Sequence, residues 1–143
     1  MEGHSLKAVI EDFTVGQHAT FTKTFTDDDV QRFIAITSDV NPLHVDDAFA
    51  SRTPFKRRIL HGMLTASLFS TMVGMFIPGS GAIYRSQTIH FLRPVYVGDT
   101  ITAHSLIRAI DFAKHRLTIE SWMENQDGER VIEGVCEAGL LRG

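Results

Sequence analysis

Two side chains stand at a spacing that suits acid–base chemistry. They are Asp39 and His44, in the segment Thr37-Ser38-Asp39-Val40-Asn41-Pro42-Leu43-His44. Such chemistry needs two titratable groups converging on one reacting atom, in surroundings that keep their pKa values useful. Pro42 stiffens the segment and pushes Asn41 toward an extended conformation, so residues 38–44 are expected to be irregular. A bend between Asp39 and His44 could turn both inward. Asn41 could hydrogen-bond within the loop or hold a water. Taken singly, each member of the pair has a structural alternative: Asp39 as a turn residue, His44 as a buried imidazole with its bonds satisfied.

A second piece is His61-Gly62-Met63-Leu64, at the start of an apolar helical stretch. A helix N-terminus presents free backbone N–H groups and a partial positive charge. Gly62 carries no side chain to block approach, so this end could stabilise negative charge on a carbonyl oxygen. Its alternative is a packing glycine. Roughly two turns further on, Ser70 places a hydroxyl in apolar surroundings. A buried hydroxyl wants a partner, and a catalytic carboxylate or imidazole would serve; a bond back to its own helix is the alternative. His61 reads as structural rather than catalytic. His90, His104 and His115 lie in or beside strand patterns and read as surface residues without partners. No HExxH or Cys/His spacing indicates a metal site, and no cofactor motif is seen.

The elements that must position these groups follow from periodicity. Residues 17–25 alternate, with Ala19, Phe21 and Phe25 on one face and His18, Thr20, Thr22 and Thr24 on the other, which predicts a strand. A helix follows, with Thr26 as N-cap and Asp29 where a capping box has Glu or Gln. Asp27 and Asp28 favour the positive end of its dipole. Val30, Phe33, Ile34 and Thr37 mark one helical face. A short helix is expected over 46–51 and a loop over 52–59. Residues 62–76 are apolar on almost every side, which predicts a helix surrounded by protein. Pro78-Gly79-Ser80-Gly81 ends it. Strands are expected over 82–92, 100–110, 116–124 and 130–141, with turns at Val97-Gly98-Asp99 and Gln126-Asp127-Gly128. The sum is an α+β layout, an antiparallel sheet wrapped around one buried helix.

Composition sets the bounds. The 143 residues fit one domain, 1–143, and 43% hydrophobic with 22% charged is a globular balance. A net charge of −3, with only Lys56-Arg57-Arg58 as a basic cluster, argues against a nucleic-acid partner. The longest apolar run, near residues 63–77, is too short and too hydroxyl-rich for a membrane span. The first ten or so residues look loosely tied and show no signal-peptide pattern. The lone Cys136 allows no intrachain disulfide and reads as a small core residue, consistent with a reducing, cytoplasmic setting.

The run Asp39-Val40-Asn41-Pro42-Leu43-His44 with Ala48-Phe49-Ala50 resembles the signature of the MaoC-like, R-specific enoyl-CoA hydratases. Residues 61–70 resemble that family's central helix, and Phe91-Leu92-Arg93-Pro94-Val95-Tyr96-Val97-Gly98-Asp99 its strand-and-turn element. Val15-Gly16-Gln17 and Phe25-Thr26 also fit, so the likeness runs roughly from residue 12 to 141. It is nearest to the short, single-domain hydratases that supply polyhydroxyalkanoate precursors.

The resemblance implies the hotdog fold, a homodimer, and syn addition of water to a trans-2-enoyl-CoA giving the R-3-hydroxyacyl-CoA. It implies that Asp39 and His44 hold and activate water, that Gly62 supplies an N–H to the thioester oxygen, that Ser70 supports the loop, and that Asn41 and Pro42 shape it. Pro42, His61, Met63, Arg85, Lys56 and Arg57 are candidate substrate contacts, with Arg58 beside them, and Met72 or Val73 candidate floors of the acyl pocket. Two departures stand out: Ser38 where many members have Gly, and Arg58 near where a Pro is expected. Alternatives within reach of the same residues are a dehydratase acting on acyl-carrier protein, an acyl-CoA thioesterase, and a hotdog domain that only binds acyl-CoA.

Overall fold

The computed structural model describes residues 8–141. Its frame is an antiparallel sheet built from β1 (His18–Thr24), β2 (Ala82–Gln87), β3 (His90–Phe91), β4 (Thr100–Asp111), β5 (Arg116–Glu124) and β6 (Arg130–Leu140). The strands lie in the order β1-β4-β5-β6-β2, with β3 continuing on β6. β4–β5 and β5–β6 pair as antiparallel hairpins, the second across the Gln126-Asp127-Gly128 turn the sequence predicts. β1 reaches β4 instead, from His18 opposite Leu106 to Thr24 opposite Thr100.

The period of two is visible as burial. Along β4 and β5, buried and half-buried positions alternate. Ile101, Ala103, Ile107, Leu117, Ile119 and Met123 form the inner face. Against that face lies the helical run from 62 to 76: α4 (Gly62–Ala66), α5 (Leu68–Thr71) and a π-helical turn, Met72–Phe76. Leu64, Leu68, Phe69 and Met72 pack with Phe25, Val30, Ile101, Met123 and Ile132 in one cluster. Val73 joins Ile10, Phe13, Ile107, Leu117 and Ile119 in the other. Cys136 sits in this second cluster, where burial pushes its thiol up to about 11. Among the described residues no helix is long and apolar enough to cross a membrane.

Several expectations are corrected here. The helix 62–76 is not enclosed by its own chain: Met63, Ser67, Ser70 and Gly74, one stripe at helical spacing, are exposed. Residues 1–7 of the supposedly loose start lie outside the described residues, but Ile10 is fully buried, so the chain is tied down by then. The strand expected over 82–92 is broken at Thr88-Ile89. His104 has partners: its Nε2 lies 2.8 Å from Glu124, its Nδ1 lies 2.9 Å from His18 Nε2, and its ring stacks on Trp122.

The break at Thr88 explains a glycine. Thr88 and Val135 exchange bonds across the sheet, Thr88 N–H to Val135 O at 2.9 Å and Val135 N–H to Thr88 Oγ1 at 2.9 Å. This draws the Thr88 carbonyl onto Gly134, where any Cβ would land on its oxygen. Overpacking against backbone has little room to relax. Gly134→Ala should therefore lose at least ~2 kcal/mol in urea unfolding, and an unchanged midpoint would disprove the close approach.

Candidate active site

The site begins where a helix ends. α1 (Asp27–Thr37) is opened by Thr26, whose Oγ1 accepts from Asp29 N–H at 3.3 Å while the Asp29 carboxylate accepts from Thr26 N–H at 2.9 Å. That backbone bond is the main reason the Asp29 carboxyl is held below its usual range. The helix stops at Ser38, which is left-handed with φ 63°. This is the position glycine takes at a helix C-terminus, because it has no Cβ to clash. Ser38 fills it here, and the chain turns sharply into Asp39.

Local bonds then shape the loop. Asp39 N–H donates to Thr37 Oγ1 at 3.2 Å, and Asn41 N–H to Asp39 Oδ1 at 3.2 Å. Asn41 hydrogen-bonds within the loop: its Oδ1 caps a helical turn, accepting from Leu43 N–H at 3.0 Å. That turn, α2 (Pro42–Val45), corrects the expectation of an irregular segment. Pro42 occupies the first helical position, where its missing N–H costs nothing. The short helix α3 (Asp47–Ser51) follows as expected, capped by Asp46.

α2 turns His44 toward the extended segment that precedes α4. There Leu60 N–H donates to Val95 O at 2.7 Å and Ile59 pairs with Tyr96, so the Ile59 carbonyl is fixed. His44 Nδ1–H donates to that carbonyl at 2.8 Å. A carbonyl only accepts, so the proton sits on Nδ1 and Nε2 keeps its lone pair. Next along the chain, His61 Nε2–H donates to the Asp39 carbonyl at 2.9 Å. A carboxylate oxygen of Asp39 and one ring nitrogen each of His44 and His61 lie within 4.8 Å of one another.

His44 and Gly62 line a cavity of about 520 Å³ whose other walls include Leu60, Thr65, Phe91, Val95 and Ile132. Its size suits a chain of several methylenes, and its walls are mostly apolar. The Thr65 hydroxyl is buried beside it without a hydrogen-bond partner among the described residues. Phe91 lies close over Gly62, since a Cβ there would come 2.7 Å from its ring. His44 thus faces an apolar chain site and the first amides of a helix, while Asp39, close to His44, is exposed and does not itself line the cavity.

The remaining expected residues divide. Met63 lines the cavity. Ser70 does not: it is exposed, in an apolar groove with Phe33, Thr37 and Tyr84, so the expected buried hydroxyl is absent from this chain's interior. Met72 and Val73 are core residues, not cavity floor. His61 is buried and does not line the cavity. Pro42 acts through the backbone. Arg85 lies with Lys114, His115 and Arg116, in a separate pocket. Arg57 lies 3.9 Å over the Tyr96 ring, near the cavity wall at Arg93 and Pro94, and Lys56 is exposed.

Arg58 carries a role that its basic cluster concealed. Its Nη1 donates to Asp27 at 2.8 Å and to the His44 carbonyl at 3.2 Å, and its Nε to Asp47 at 2.9 Å. These carboxylates, Asp27 first, raise the guanidinium above its ordinary range. One side chain therefore ties α1, α2 and α3 together behind His44. Phe91, Thr65 and the Ile59 carbonyl were also missed. A main-chain acceptor leaves no sequence signal, and the carboxylate partners of Arg58 lie 31 and 11 residues away in the chain.

Comparison with known proteins agrees with this geometry. The model of a family described as MaoC like domain matches residues 12–127. An (R)-specific enoyl-CoA hydratase of Aeromonas caviae is 43% identical over 120 residues, covering 84% of this chain and 90% of that protein. The solved structure of an (R)-hydratase from A. caviae involved in PHA biosynthesis superposes with a TM-score of 0.88 at 40% identity, over 92% of this chain and 99% of that one. A mitochondrial 3-hydroxyacyl-[acyl-carrier-protein] dehydratase of Solanum lycopersicum is 38% identical, over 88% of this chain and 76% of that protein.

Two substitutions test the supports. Ser38→Gly should raise stability by up to ~1 kcal/mol, because it relieves the left-handed strain; a lowered melting temperature would contradict this. Arg58→Met should cost only about 1 kcal/mol, since Asp27 and Asp47 are largely exposed, yet it should reduce turnover by freeing α2. Full activity would show that the clamp is irrelevant to His44.

Proposed function

The chain belongs to the MaoC-like domain family, and from that premise we propose that it hydrates trans-2-enoyl-CoA thioesters to (R)-3-hydroxyacyl-CoA, reversibly. The observation that carries this reading is the His44 Nδ1–H bond to Ile59. In the neutral ring it leaves Nε2 as an acceptor, on a side chain that lines the cavity and stands close to Asp39.

Hydration breaks one O–H bond of water, forms a C–O bond at C3 and forms a C–H bond at C2. Asp39 and His44 hold the water, take its proton and return a proton to C2. Because both act from one side of the double bond, the addition is syn. As the C3–O bond forms, electron density moves to the thioester oxygen. The Gly62 N–H, in the first turn of α4, has no intrahelical acceptor and stabilises that charge. Asn41 and Pro42 keep the loop in shape through the cap described above.

The acyl chain enters the apolar cavity, with Met63 and Phe91 at its side. Arg93 lines this edge, with Arg57 beside it and Lys56 next in the chain, as cations for the phosphates of coenzyme A. A second copy of the chain covers the exposed helix stripe Met63, Ser67, Ser70 and Gly74, giving a homodimer and placing Ser70 against a surface where it supports the loop. The reduced thiol of Cys136 suits a cytoplasmic setting.

Loss of enoyl absorbance with C4 to C12 trans-2-enoyl-CoAs, followed by chiral analysis, tests the reaction. An S-configured product, or release of free CoA, would refute it. Parallel assays on acyl-carrier-protein thioesters decide the carrier, the question that the S. lycopersicum relative raises. Asp39→Asn and His44→Ala should each remain folded and lose at least ~10²-fold in turnover of crotonyl-CoA. Near-normal turnover in either removes that residue from the chemistry.

A further inference from the structure

His61 is a buried titratable side chain that the hydration chemistry above does not use. It is 3% exposed and lies behind Gly62, away from the cavity lining. We propose that His61 is a positioning residue for the acid–base pair, setting Asp39 and His44 relative to each other and to the Gly62 amide. The proposal rests on the hydratase reading.

Three contacts carry it. In its own plane, His61 donates Nε2–H to the Asp39 carbonyl at 2.9 Å, which ties the main chain of the acid. On one face it stacks on His44, centroids 4.0 Å apart at 30°. Its ring also packs against Phe33, centroids 4.9 Å apart at 55°. His44 is therefore held twice: along its plane by Ile59, and across its plane by His61. Through its own carbonyl, His61 accepts from Leu64 and Thr65 N–H at 3.0 and 3.3 Å, so the same residue starts the helix that presents Gly62.

A merely structural role does not account for a histidine here. His61 stands at the N-cap but makes no side-chain cap bond, where Ser, Thr, Asp or Asn would. With Nε2 protonated, Nδ1 is a lone pair, and it is buried without a partner among the described residues. Unpaired buried polar atoms are disfavoured and uncommon, and they concentrate where function needs the group. What the histidine supplies, and neither a phenylalanine nor an amide supplies alone, is a flat face for His44 together with a donor aimed at Asp39.

Two variants separate these contributions. His61→Phe keeps the stacked ring and loses the donor. His61→Gln keeps an amide N–H at about the reach of Nε2 and loses the ring. Misplacing catalytic groups by a fraction of an ångström to an ångström costs up to ~10²-fold. Turnover of crotonyl-CoA should therefore fall about 10- to 100-fold in His61→Phe, with KM changed less than about twofold, because His61 does not touch the cavity. His61→Gln should recover at least about threefold over the Phe variant. Wild-type turnover in His61→Phe, a loss confined to KM, or identical rates in the two variants would each overturn the proposal.

A variant that fails to fold, as judged by circular dichroism, leaves the wild-type protein to decide. Nitrogen-15 shifts of its imidazoles should place the proton on Nε2 of His61 and on Nδ1 of His44. The opposite tautomer at either ring overturns the arrangement. This measurement needs no turnover, so an inactive wild-type protein would count against the hydratase reading while the tautomers still report on His61.

Discussion

The site hangs on a short backbone pairing. Leu60 N–H donates to Val95 O, and Ile59 pairs with Tyr96, which pins the chain at residues 59 and 60, just before the His61 that opens the central helix. From that anchored stretch three things emerge in sequence: the Ile59 carbonyl that orients His44, the His61 ring beside it, and the Gly62 amide. The sheet supplies the anchor's other half, since Val95 and Tyr96 stand just before the Gly98 turn that leads into β4. That turn is itself closed by Phe25 and Gly98, whose backbone groups bond each other at 2.7 Å, and by Asp99 bonding Tyr96 N–H and Gln126. The acid–base loop, by contrast, is assembled from local bonds and brought in from the side by α1.

This division explains why chemistry can sit on a loop and still be precise. Asp39 and His44 belong to a segment with few apolar contacts, exposed in part. Its order comes from polar bonds to rigid neighbours: Arg58 behind, Ile59 and His61 in front, the Asn41 cap within. Each bond is modest alone, but they fix the same few residues from different directions. The apolar cavity needs none of this care, since it forms wherever the helix and sheet leave space between Leu60, Val95 and Ile132.

Much of this was legible beforehand because it is periodic or punctuated. Alternation in β1, β4 and β5, the Thr26 cap and the Gly98 and Gly128 turns are short-range signals, and the strand boundaries they imply hold closely. The loop's chemistry was legible from residue types at fixed spacing. What was not legible has physical causes. Pro42 argues for an irregular segment, but at the first helical position a proline starts a helix. The apolar neighbours of Ser70 point it inward, yet it lies on the exposed stripe of its helix with Met63, Ser67 and Gly74. His104 looked unpartnered because His18 and Glu124, its partners, lie on different strands. The Ile59 carbonyl has no side-chain signature at all.

That last feature bears on how such a protein can drift over generations. The group that dictates the tautomer of His44 is main chain, present whatever amino acid occupies position 59. Point mutation cannot delete it; only a shift of the backbone can. Replacements at 59 are therefore constrained by packing against the cavity and by pairing with Tyr96, not by proton chemistry. The wall of the cavity is thus free to vary in shape while the His44 ring beside it stays oriented by the same carbonyl, so cavity shape and ring orientation can change separately.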